Sequence, residues 1–344
     1  MIYPWLNEIW SQLLERRRAP PHALLITGRQ GLGKQELAET FSKAMLCRAP
    51  APDGSACGRC EACHWFAQGT HPDFRLIAPE ADDPAEDGRP AGARASRTIR
   101  IHQVRALQDW LAVGAHQSGW RLAVIVPAEA MTVSTANALL KTLEEPPPAS
   151  VLLLVCHQPS RLLPTVRSRC QQIVCPVPPR ATGEAWLRAQ GIDEPALRLA
   201  LSSGAPLTAR DFGEQEEMAR VFREVMASRP FSVFRAAARM AAFPIAAVID
   251  LMQRWVHDGY CASLGLAPRV FAANDFAPAA PAGPASAQPA SSSGPSTAVQ
   301  SRRRRLLEMD RRLLEARRLA DHPLNARLVL EELLADLGEA VAGH

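Results

Sequence analysis

With 344 residues, 47% of them apolar, the chain is too long for one ordinary domain and rich enough in apolar residues for two or three cores. A formal net charge of +4 admits nucleic acid or an acidic partner and demands neither. No run approaches the roughly 18 uninterrupted apolar residues of a membrane helix, and "MIYPWLNEIWSQLLERRR" has no basic segment followed by an apolar one, so a soluble, cytoplasmic protein is expected. In that reducing compartment the eight cysteines do not read as a disulfide framework, and metal binding better explains any that cluster.

In chain order, "HALLITG" (His22 to Gly28) predicts a buried strand ending at glycine, and "LAETFSKAML" (Leu37 to Leu46) a helix. Between them "GRQGLGKQ" follows the phosphate-binding pattern G-x-x-x-x-G-K-[ST] at Gly28, Gly33 and Lys34, with Gly31 inside it, and departs from it at Gln35. "PEADDPAEDGRPAGARASRT" (Pro79 to Thr98) reads as a mobile surface insertion. "RLAVIV" (Arg121 to Val126) and "SVLLLVC" (Ser150 to Cys156) predict two further buried strands, with the helical "TANALLKTLEE" between them. The alternation argues for an α/β domain with a parallel sheet, running to about Val177. Beyond "CPVPPR" the pattern is helical to the end, except that Phe276 to Val299, rich in Ala, Pro and Ser, has the composition of a disordered linker. The arginine run at 302 to 305 reads as a solvated helix start, with phosphate contact the alternative.

Cys47, Cys57, Cys60 and Cys63 stand as C-x9-C-x2-C-x2-C. Four thiolates so spaced can close a tetrahedron around zinc, and a closed shell leaves no position for substrate, so the expected zinc is structural. His64 is a neighbour able to replace one ligand, and free loop cysteines are the alternative. Cys156, Cys170, Cys175 and Cys261 read as small core residues.

A working P-loop ATPase also needs acids at the end of a nearby strand, one for magnesium and one to polarise water. After "RLAVIV" comes Pro127, so neither Val126 nor Pro127 supplies them, and Glu129 lies two residues further on. Hydrolysis by the chain itself is therefore not expected. The loop, Lys34 and the helix start can still cradle phosphate, or the motif is only a tight strand-to-helix turn.

"TANALLKTLEEPP" (Thr135 to Pro147), "RLLPTVRSRC" (Arg161 to Cys170) and the cysteine cluster, in this order, resemble the clamp-loader subunits of bacterial DNA polymerase III, and within them the delta prime branch. "YPWLNEIWSQL", "GTHPDFRLIAPE", "IRIHQVRALQDWL" and "HPLNARLVLEELL" carry the same resemblance over most of the chain. It implies an AAA+ domain over 1–177 with the zinc module at 47–63, a helical lid over 178–212, and an all-α collar over 213–344 interrupted at 276–299. It implies partners: the gamma/tau motor subunits and delta in a five-membered ring, the sliding clamp through that assembly, primed DNA through its phosphates, and no membrane. Motor subunits of the family carry an intact loop, an acid pair, a sensor hydroxyl and a sensing arginine, where this chain has Gln35, Val126, Pro127, Cys156 and Leu207. The resemblance thus implies a non-hydrolysing subunit of a polymerase holoenzyme. It places an arginine finger at Arg169, acting on a neighbour's site; pairing with Glu144 or Glu145 in its own chain is the alternative, and Lys141 with these glutamates belongs to an interface or to a solvated helix end. Two rival functions are a motor subunit that uses Glu129, and a zinc-dependent DNA-binding protein acting alone.

Overall fold

Strands β1 (Ala23–Thr27), β2 (Phe74–Ile77), β3 (Arg121–Ile125), β4 (Ser150–Cys156) and β5 (Gln171–Val174) form one parallel sheet in the order β2-β3-β4-β1-β5. The computed structural model describes residues 2–80, 98–115, 119–228, 230–271, 273–276, 297–319 and 325–342. The insertion expected at 79–98 and the linker expected at 276–299 lie almost wholly outside the described residues. The chain divides into two compact units, Met1–Trp186 with Ala205–Thr208, and Leu187–Gly204 with Ala209–His344.

The first unit holds the sheet and helices α1 (Asn7–Glu15), α2 (Lys34–Leu46), α3 (Glu61–Ala67), α4 (Ile101–Ala112), α5 (Val133–Glu144), α6 (Pro164–Arg167) and most of α7 (Arg180–Ala189). The central strands β1, β3 and β4 are buried along their whole length, because parallel strands joined by helical crossovers are covered on both faces. Alternate residues therefore feed two cores. Leu24, Ile26, Val124 and Leu153 pack with Leu13 of α1 and Phe41 of α2, while Leu25, Ile125, Leu152 and Leu154 pack with Leu107 of α4 and Leu139 of α5. In register, Thr27 lies beside Cys156 of β4 and Val174 of β5, so these three strands end together where the β1–α2 loop begins.

"GTHPDF" is explained by a buried charged cluster at the start of β2. Asp73 is wholly buried, 3.9 Å from the buried Arg121, whose guanidinium lies 4.7 Å from the ring centre of Trp110. The indole of Trp110 in turn donates to the Pro72 carbonyl at 3.1 Å. These contacts pin β2 to the sheet edge.

The second unit is helical: α8 (Pro195–Leu201), the end of α9 (Pro206–Arg210), α10 (Gly213–Ala227), α11 (Val233–Met240), α12 (Ile245–Ser263), α13 (Thr297–Leu319) and α14 (Ala326–Ala342). Phe222, Trp255, Phe271 and Phe276 form an aromatic cluster with centroid separations from 4.6 to 6.1 Å, continued by Leu306, Leu313, Leu334 and Leu337. The buried Asp258 accepts from the backbone N–H groups of Arg269, Val270 and Phe271 at 3.0, 2.7 and 2.9 Å. One carboxylate thus anchors the segment that brings Phe271 into the core.

Two expectations are corrected here. The arginine run is not simply a solvated helix start: it lies inside α13, where Arg302 donates to the Phe276 carbonyl at 3.0 Å and Arg303 to the Ser263 carbonyl. Only Arg304, paired with Glu308 at 2.9 Å, is largely exposed. Cys156, Cys170 and Cys175 are buried as expected, but Cys261 is half-exposed, with Sγ 3.8 Å from His257 Nδ1. Among the described residues, no helix is long and apolar enough to cross a membrane.

Candidate functional site

The loop from Gly28 to Lys34 leaves the end of β1 and enters α2, where a phosphate-binding loop must lie. Gly31 and Gly33 have φ of +79° and +83°, the left-handed region that glycine enters without cost. Packing gives them a second reason. A Cβ on Gly33 would run into the ring of Tyr3, and one on Gly31 into the Thr208 hydroxyl. Tyr3 stacks on Trp5 at 5.1 Å, and Trp186 meets both edge-on at 5.8 and 5.4 Å. The Trp5 indole donates to the Leu32 carbonyl at 2.9 Å, and the Leu207 N–H donates to the Gly31 carbonyl at 3.0 Å.

Lys34 turns inward. Its side chain is 2% exposed and Nζ donates to the Arg29 carbonyl of its own loop. Burial brings its pKa down to about 8, only partly opposed by the thiols of Cys175 and Cys156 and the carboxylate of Glu129. Gln35 bonds along the helix to Glu39 at 2.9 Å.

Glu129, which follows the end of β3, is occupied. Its carboxylate accepts from the His157 N–H at 3.0 and 3.1 Å and from the Gln158 N–H at 3.1 Å. The group that the motor alternative needs for magnesium instead caps the end of β4. His157 has its pKa lowered by burial and by the nearby Lys34 charge.

Arg169 lies in the turn between α6 and β5, flanked by the buried Cys170 and, one helical turn back, the buried Val166. Its side chain is 36% exposed; Nη2 is 2.6 Å from Glu144 Oε1 and Nη1 donates to the Thr165 carbonyl at 3.0 Å. Of the two glutamates considered from sequence, Glu144 is the partner. Lys141 and Glu145 are exposed and form no ion pair among the described residues.

The four cluster cysteines come together, their Sγ atoms all within 4.8 Å of one another. Cys47 ends α2, Cys57 and Cys60 sit in the following loop, and Cys63 lies in α3. The Cys47–Cys60 separation is 3.9 Å, close to the edge of about 3.8 Å that tetrahedral metal–sulfur bonds of about 2.3 Å give. The Cys57 N–H points at Cys47 Sγ from 3.3 Å, a donor suited to a thiolate. The donor set fits a metal ion that takes four sulfurs. His64 is not needed to complete it.

The sequence singled out the loop, Lys34, Arg169 and the four cysteines, and of these the structure brings the cysteines together. Sequence reasoning missed the aromatic cover from Tyr3, Trp5 and Trp186, whose members lie at opposite ends of the unit's sequence, and the amide clamp on Glu129.

A family model described as "DNA polymerase III, delta subunit" matches residues 6–178, half of the chain. "DNA polymerase III subunit delta'" of Pseudomonas aeruginosa is 45% identical over 231 residues, 65% of this chain and 66% of its own. The protein of that name from Escherichia coli is 35% identical over 209 residues, 59% of this chain and 58% of its own. The matches thus span slightly less than two thirds of these relatives. A solved gamma subunit-related protein of DNA polymerase III from Thermotoga maritima aligns over 96% of this chain and 98% of its own at 18% identity, with a TM-score of 0.46, too distant a likeness to locate a site. On the family match and these relatives, the chain belongs to the family of DNA polymerase III delta prime subunits.

Proposed function

We propose that the chain is a non-hydrolysing member of the DNA polymerase III clamp loader, a cytoplasmic ring of gamma/tau motor subunits, delta and this chain, which opens the sliding clamp and places it on primed DNA. In this reading the chain contributes Arg169 to the nucleotide site of a neighbouring motor subunit. The observation that carries it is a contrast within one unit. Lys34 is 2% exposed and bonded to the Arg29 carbonyl, and Glu129 accepts from the His157 and Gln158 N–H groups, while Arg169, paired with Glu144, keeps a part-exposed guanidinium on a turn held by buried neighbours.

The chemistry follows from the guanidinium. It is planar, always charged and forked, so it can donate to two oxygens of a phosphoryl group as negative charge spreads over them. Such an arginine supplied in trans accelerates phosphoryl transfer by about 10³ to 10⁵. Residues Gly28, Gly31, Gly33 and Lys34 are then the remains of a nucleotide loop, retained for packing. Cys47, Cys57, Cys60 and Cys63 would hold a structural zinc, which ties α2 to α3 and supplies no open coordination position.

Residues 1–177 serve as the AAA+ domain, 178–212 as the lid, and 213–344 as the collar. Exposed Leu307 and Leu314 on α13, seven residues apart, and Leu328 on α14 support a helical surface made for assembly. DNA is met through its phosphates by the assembled ring, so the contact is salt-sensitive and largely independent of sequence.

The test is reconstitution. The isolated chain is expected to show no ATP turnover, and a loader lacking it to lose most DNA-stimulated turnover. Turnover by the isolated chain would restore the motor reading, and tight metal-dependent duplex binding without partners would favour the stand-alone DNA-binding one.

A further inference from the structure

The ion pair at Arg169 has a geometry that stability does not require. Both partners are part-exposed, at 36% and 50%, and ion pairs open to solvent contribute little to folding. Glu144 is nonetheless carried on one of the best-fixed elements of the unit. It is the last residue of α5, whose start is capped by Thr132 accepting from the Thr135 N–H at 3.2 Å. The Thr135 hydroxyl donates to the Ile99 carbonyl at 3.1 Å. Gln108 of α4 bonds to the Ala138 carbonyl and the Thr142 hydroxyl at 2.9 and 3.0 Å, and Leu139 and Leu143 are in the core. A rigid helix therefore delivers one carboxylate to one arginine.

We propose that Glu144 is the positioning residue for Arg169, an inference that rests on Arg169 acting in trans. A free arginine side chain samples many rotamers and must lose them on entering a neighbour's site. Held by Glu144 at Nη2 and by the Thr165 carbonyl at Nη1, the guanidinium has already lost them. Arginine has five N–H donors; these two contacts leave the Nε edge and further N–H groups for phosphoryl oxygens. Glu144 need not let go for Arg169 to act.

The experiment compares DNA-stimulated ATP turnover of reconstituted loaders carrying Glu144→Ala, Glu144→Gln, Glu145→Ala, Arg169→Ala, and Arg169→Ala combined with Glu144→Ala. Misplacing a reacting group by an ångström can cost about 10²-fold in rate. For Glu144→Ala, which keeps the Thr165 contact, a rate lower by about tenfold at the neighbouring site is expected on that scale, read as a loss of loader kcat approaching that of Arg169→Ala with an unchanged KM for ATP. Glu144→Gln, whose amide oxygen still accepts, recovers part of the loss. Glu145→Ala, which removes the same charge next door, leaves turnover unaltered, and in the Arg169→Ala background Glu144→Ala has no further effect. Unchanged or faster turnover in Glu144→Ala, or an equal loss without Arg169, overturns the inference; a faster rate would make Glu144 a competitor for the guanidinium. Full turnover in Arg169→Ala would instead defeat the underlying reading, a distinct result.

Discussion

Lys34 keeps the identity of a phosphate-loop lysine in surroundings built for something else. Its ammonium is buried against the Arg29 carbonyl, and burial lowers its pKa from 10.5 to about 8. A cation with a lowered folded-state pKa destabilises the fold below that value. The penalty is relieved as pH rises from about 8 to 10.5, because over that window the unfolded chain binds more protons than the folded one. Lys34→Met, which removes the charge and keeps the volume, relieves that penalty and is expected to raise stability at pH 7, less the lost hydrogen bond to the Arg29 carbonyl. It should also abolish the rise of stability above pH 8 and leave loader turnover intact. Denaturant titrations across pH check the first two points; a large loss of turnover would mean that the loop still binds nucleotide.

At the scale of elements, the metal module and the Asp258 anchor are each held by few groups. Strict ligand spacing made the cysteine cluster legible in the sequence, and the Sγ atoms do converge within 4.8 Å. One metal ion per chain is expected, lost on Cys60→Ser. Chelation should raise hydrogen exchange in the loop and α3 while β1, β3 and β4 stay protected; exchange rising equally in the sheet would contradict a local module. Asp258→Ala leaves three backbone N–H groups without their acceptor and is expected to cost roughly 2–4 kcal/mol, read as a lower urea midpoint. Nothing in the sequence distinguishes Asp258 from a solvated helix acid, since its partners are backbone groups in a later loop. The central strands were legible because burial on both faces writes continuous apolar runs such as "SVLLLVC". The edge strands β2 and β5 were not read as strands, because each has four residues and is partly exposed; "QQIV" opens with two glutamines. Arg302 and Arg303 misled for a related reason, their acceptors being the carbonyls of Phe276 and Ser263.

For the whole molecule, the contrast lies between Lys34 and Glu129, bonded within the chain, and Arg169, which keeps a part-exposed guanidinium. The missing hydroxyl at Gln35 and the missing acids at Val126 and Pro127 were legible letter by letter. That Tyr3 and Thr208 pack against the glycines was not, because both approach through tertiary folding. The role proposed for Arg169 is tested most directly by DNA-stimulated ATP turnover of a reconstituted loader carrying Arg169→Ala. The chain alone, the unsubstituted loader and a check that the ring still assembles serve as controls. Loss of at least the share of turnover belonging to the neighbouring site that Arg169 completes, in an intact ring and with none from the chain alone, is the expected result for an arginine supplied in trans. Undiminished turnover in an intact ring would leave Arg169 a structural partner of Glu144 and this chain a scaffold.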